Sequence, residues 1–194
     1  MDWISEFPQM SRAGLREFKK TVDFAFTDFS RAYGAEIEGF FEPLLMFLVW
    51  FEKLFINTPW PIIIAAILSL AWLGSRSITI VMGTFFSFML IGYFGMWEDT
   101  MSTLAIILVA TFLCISIGIP IGVAMARSSK IQALIVPILD IMQTIPSFVY
   151  LIPVVMLLGI GKVPGLIAVC IYAIPPIVRL TNLGIRLVDK DVLE

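Results

Sequence analysis

The chain has 194 residues, 59% of them hydrophobic and 14% charged, and its mean hydropathy of +0.97 lies far above that of a soluble domain. A formal net charge of −2, with Lys and Arg dispersed along the chain, offers neither a basic face for nucleic acid nor a polybasic lipid patch. Histidine is absent and Cys114 and Cys170 stand singly in apolar runs, which excludes a zinc centre and a Cys/His nucleophile and leaves both cysteines as small apolar side chains.

The opening "MDWISEFPQM" carries acids where a secretory signal has its basic region, and no apolar run follows. Residues 1–57 hold six Lys/Arg and nine Asp/Glu, whereas the next hundred residues are nearly uncharged. In this tail Phe18, Val22, Ala25, Phe26 and Phe29 recur at helical spacing between charges, which predicts an amphipathic helix. A second helix is expected over Glu42 to Phe55. Its uncharged run, Pro43 to Phe51, is shorter than the ~20 residues a bilayer requires. It is read as lying at the interface with Glu52 and Lys53 among the headgroups, the competing reading being a tilted span that carries the pair.

The tail ends at "NTPWP", Asn57 to Pro61, and uncharged windows follow at Leu54–Ser75, Ser77–Trp97, Thr100–Ala126, Ile141–Gly161 and Val163–Val178. The last is completed by Leu180–Ile185 if Arg179 snorkels or finds a partner. These windows predict an all-α membrane protein with a polytopic bundle of about five transmembrane helices. Alternate connections carry Arg76, then Glu98 and Asp99, then Arg127 and Lys130, then Lys162, then Arg186 and Lys190. The positive-inside rule places the three basic sets in the cytoplasm, the N-terminus outside and the C-terminal end inside, with Lys162 dissenting.

Within the apolar region, "DIMQTIPSFVYLIPV" (Asp140 to Val154) interrupts itself with amide, hydroxyl and proline residues. A proline inside a span frees the carbonyl one turn earlier, so Pro146 and Pro153 require partners for the backbone near Met142 and Val149. Gln143, Thr144 and Ser147 are suitable partners, and such an arrangement survives where a helix faces protein or a wet cavity. The stretch therefore reads as a path lining, and equally as a structural kink satisfied within the bundle. In "GIPIG", Gly118 and Gly122 share one helical face and predict a close approach of another helix. In "AIPPIVR", Pro175 and Pro176 suggest either a break that forms a gate or a kink ahead of a snorkelling Arg179. The string "GIGKVPG" lacks the glycine a phosphate-binding loop needs at Met156 and the hydroxyl it needs at Val163, so a tight turn is predicted and no nucleotide or other cofactor is implied.

These residues carry a resemblance. The pattern met by Asp140, Met142, Gln143, Thr144, Pro146, Phe148, Val149, Tyr150, Leu151 and Pro153, continued by "GIGKVPG" and "PPIVRLT", closely resembles the permease subunits of glycine betaine/proline betaine ABC importers. The resemblance implies a type I ABC importer permease fold over residues 58–194, preceded by the tail at 1–57. It also implies a second permease copy forming a homodimer, two cytoplasmic ATPase subunits and an extracytoplasmic substrate-binding protein. Gln143, Thr144, Pro146, Phe148, Tyr150, Pro175 and Pro176 become candidates for the translocation path. Such permeases dock on the ATPase through a helix beginning Glu-Ala-Ala; Glu194 matches its first residue, so the chain is expected to be an N-terminal fragment, incomplete at the C-terminus. A quaternary ammonium solute suits aromatic faces, and Phe148 and Tyr150, two apart on a helix, point to different sides. An intramembrane enzyme finds no catalytic pair here, and an ATP-independent secondary transporter or channel finds no repeat or buried carboxylate relay.

Overall fold

A computed structural model of the chain describes residues 10–188, which form seven helices and, among the described residues, no strand. They are α1 (Arg12–Asn57), α2 (Trp60–Ser75), α3 (Ile78–Tyr93), α4 (Trp97–Arg127), α5 (Ser129–Thr144), α6 (Ser147–Leu158) and α7 (Lys162–Arg186). By length and apolar content α4 and α7 each suffice to cross a bilayer. The pairs α1–α2 and α5–α6 qualify when each is taken as one span across bends of 100° and 89°. The apolar α3 has 16 residues, about 24 Å of helix against a hydrocarbon core of about 30 Å.

The two amphipathic helices expected in the tail are one. Ser11 caps α1 by accepting from the Gly14 amide at 3.1 Å, and the helix then runs unbroken for 46 residues. Pro43 sits inside it. The carbonyl its ring crowds is that of Gly39, on an exposed turn where water or headgroups can take the freed acceptor. The helix stops where Thr58 and Pro59 turn extended, and Pro61 falls at the start of α2, where a missing amide costs nothing.

Nor does the end of α1 lie apart from the bundle. Leu48 is fully buried against Val109 and Ala110 of α4 and Leu166 of α7. Glu52, expected among headgroups, is buried beside Ser102. Because 48 meets 109 while 52 meets 102, this part of α1 runs antiparallel to α4.

The centre of the fold is the α4–α7 pair. Gly118 faces Ile177, Gly122 faces Thr181, and the Met125 carbonyl accepts from Arg186 at 3.0 Å. Residue numbers rise together along both helices, which therefore lie parallel and in register. A Cβ on Gly122 would stand 2.6 Å from Thr181 Cβ and 2.8 Å from the Val178 carbonyl oxygen. One on Gly118 would stand 2.8 Å from Ile177 Cγ2. Only hydrogen at these positions permits so short an interhelical distance, and in lipid that contact is what holds helices together. Cys114 and Cys170, read as separate, meet on this seam, the Cys114 thiol donating to the Cys170 carbonyl at 3.9 Å. Both are free thiols.

Candidate translocation path and the ion pairs that frame it

The segment that interrupts the apolar pattern is a break. Ile145, preceding a proline, is extended at φ −76° and ψ 127°, as the clash with the proline ring requires. The Ile145 amide donates to the Ile141 carbonyl at 3.1 Å and closes α5; Thr144 adds its hydroxyl to the same carbonyl at 3.4 Å. Pro146 then caps α6, and its carbonyl accepts from the Val149 amide at 2.9 Å. The expectation of a span kinked at Pro146 is thus corrected. The proline stands outside both helices, where its missing N–H removes no helical bond. Pro153 does lie inside α6.

Gln143, Thr144, Pro146 and Phe148 are exposed on this chain, Phe148 to 74%, and Tyr150 is half-buried. The four exposed residues cluster in sequence around the bend. Pro175 and Pro176 do not break their helix: α7 continues through both, with Pro175 buried and Pro176 exposed. Contacts of α7 with α4 lie on both sides of the two prolines. Glu194, the residue matched to the start of the ATPase-docking motif, lies outside the described residues, as does Lys190.

Two ion pairs connect these elements. Arg179 of α7 donates to Asp140 of α5, one turn before Gln143, so the cation that would otherwise interrupt the last span has a partner. At the opposite end of α7, Lys162 donates to Glu52 of α1, which also accepts from the Ser102 hydroxyl of α4. A lysine at a helix N-terminus opposes the helix dipole. Glu52 neutralises it, and the dissenting charge of the fourth connection is answered within the chain. This three-helix contact escaped the sequence reading. Its signal was present: one acid in the apolar half of α1 and one base in an otherwise uncharged connection. The turn before Lys162 is tight as expected, with Gly159 at φ +74°, a conformation that favours glycine. Arg186 fastens the far end of α7, donating to Asn182 Oδ1 at 3.0 Å and to α4 as described.

Residues 118–194 match the family described as binding-protein-dependent transport system inner membrane component. The chain is 41% identical over 173 residues to the glycine betaine/proline betaine transport system permease protein ProW of Escherichia coli, covering 89% of this chain and 48% of that protein. It is 41% identical to the glycine betaine transport system permease protein OpuAB of Bacillus subtilis, over 63% of this chain and 43% of OpuAB. Identity to the glycine betaine/carnitine transport permease protein GbuB of Listeria monocytogenes is 39%, over 70% of this chain and 49% of GbuB. The chain thus spans about half the length of these curated relatives. It is an all-α membrane protein similar to ABC permeases of this kind.

Proposed function

We propose, from the premise that residues 118–194 belong to the binding-protein-dependent inner-membrane permease family, that the chain is the permease subunit of an ATP-driven importer of quaternary-ammonium osmoprotectants. The carrying observation is that the family match covers the bent α5–α6 element together with α7, the part where exposed polar and aromatic side chains interrupt an apolar bundle. Glycine betaine and proline betaine are the solutes in the name of ProW, with carnitine in that of GbuB and choline in the same chemical class. In this reading Gln143, Thr144, Pro146, Phe148 and Tyr150 line the path, with Pro175 and Pro176 shaping α7 beside it. Their exposure on one chain supports a path completed by a second permease copy. Residues exposed to lipid would leave the polar groups of the break without partners.

The protein resides in the bacterial inner membrane with its N-terminus outside and the α7 C-terminus inside. Arg76, Arg127, Lys130 and Arg186 favour that orientation, and the pairing of Lys162 with Glu52 removes the objection to it. Two ATPase subunits on the cytoplasmic side hydrolyse ATP, Glu194 begins the segment that engages them, and a separate extracytoplasmic protein delivers the solute. Reconstitution of the intact permease with its ATPase and binding protein in proteoliposomes tests this. Uptake of radiolabelled glycine betaine that requires both lumenal ATP and external binding protein is expected. Uptake that persists without the ATPase would replace the proposal with a secondary transporter or channel.

A further inference from the structure

Away from the α5–α6 break, the turn between α1 and α2 meets the end of α3 and the beginning of α4 around a cavity of about 620 Å³. That volume is typical of small-molecule sites, about 300–1,000 Å³. Its wall holds four aromatic side chains, Trp60, Phe88, Tyr93 and Trp97, with Asn57 and Thr58 as polar members. The convergence follows from topology: Trp60 opens α2, Tyr93 closes α3 and Trp97 opens α4, so three helix ends present rings at one level. Phe88 and Trp97 stand at a ring-centroid distance of 6.4 Å with planes at 69°, so their faces do not stack on each other. No basic residue lines the cavity, and the exposed carboxylates Glu98 and Asp99 follow Trp97 directly in the chain.

Aromatic residues at helix ends commonly anchor a bundle at the membrane surface. Trp60 and Tyr93 are exposed as anchors are, but together with Phe88 and Trp97 they line one open cleft. Aromatic faces around a cavity that no cation lines suit a large, weakly hydrated organic cation held by cation–π attraction. We infer that the cavity bounded by Trp60, Phe88, Tyr93 and Trp97 binds a trimethylammonium group at the α1–α2/α3–α4 end of the bundle, separate from the α5–α6 break. The inference rests on the quaternary-ammonium reading for its physiological ligand, as a site the solute occupies outside the path; a choline headgroup of lipid carries the same group.

The intact permease in nanodiscs of phosphatidylethanolamine and phosphatidylglycerol, which contain no trimethylammonium group, is titrated with tetramethylammonium by saturation-transfer NMR. A saturable signal is expected, about tenfold weaker in affinity in Trp60→Leu and Trp97→Leu. Neopentyl alcohol, of similar shape and no charge, should not compete. Displacement by free glycine betaine identifies the solute as the occupant, whereas loss of signal only on adding phosphatidylcholine identifies lipid; either supports the site. Absence of a saturable signal, or equal competition by neopentyl alcohol, overturns it and needs no variant to fold. Import assayed in parallel separates the two proposals: import without binding removes this site alone, and binding without import removes the transport reading alone.

Discussion

The α4–α7 seam and the α5–α6 element are both rich in helix-disfavouring residues, yet they behave oppositely. The seam contains Gly118, Pro120, Gly122, Pro175 and Pro176 and remains two unbroken parallel helices. The other element contains Pro137, Pro146 and Pro153 and folds back by 89° at one of them. Glycine on the seam allows contact along many turns, and that contact holds a helix through its prolines. The α5–α6 element lies at the bundle's edge with Gln143 and Thr144 exposed, so nothing opposes the extended preference of Ile145. Proline content alone therefore does not decide continuity; the neighbours do.

The largest effect expected from breaking this contrast is at Gly122. Gly122→Leu places a side chain where even a Cβ meets the Val178 backbone, and should abolish folded protein, read as loss of the monodisperse peak in detergent. Normal yield and melting temperature would show that the seam is not the organising contact. Next is the far end of the seam, at Glu52 and Lys162, whose side chains are 9% and 37% exposed. Lys162→Leu strands a buried carboxylate and should destabilise by about 3 kcal/mol. Glu52→Leu leaves a lysine that can reach water and should cost about 1 kcal/mol. Equal losses in denaturant titrations of the two variants would contradict the buried, one-sided character of the pair.

A milder test compares the two glycines as alanines. Gly122→Ala meets the Val178 carbonyl as well as Thr181 and should cost about 2 kcal/mol, whereas Gly118→Ala meets only side-chain atoms, the β-branch of Ile177 first, and should cost about 1 kcal/mol. The reverse order would place the closest approach elsewhere. At the break, Pro146→Ala and Gln143→Leu should change stability by less than about 0.5 kcal/mol, since neither side chain is packed. Both are expected to slow uptake while leaving solute affinity of the binding protein unchanged. Unaltered uptake in both variants would remove the break from the path.

Much of the fold was legible in residue order. The apolar windows, the end of α1 at Asn57, the glycine spacing at 118 and 122 and the turn at Gly159 are local signals, each carried by a few adjacent side chains. Two features were not legible for one reason. Glu52 and Lys53 interrupt the apolar run of Glu42 to Phe55 without naming a partner, and Pro175 and Pro176 suggested a break or a kink because prolines break isolated helices. In each case residues fifty or more positions away supplied the contact: Lys162 and Ser102 answer the Glu52 carboxylate, and α4 packs along α7, which stays continuous.

By itself, then, the sequence determined the class of the protein: helices that must satisfy their own backbone in lipid, and which residues are too polar to be left facing hydrocarbon. Only the tertiary structure decided which polar residues are answered inside the chain and which remain open. Asp140 and Glu52 found cations, whereas Gln143 and Thr144 at the break face outward. The physical reason is that burying a charge or breaking a helix has a free energy set by the opposing side chain, and that partner arrives from a distant segment brought close only by folding.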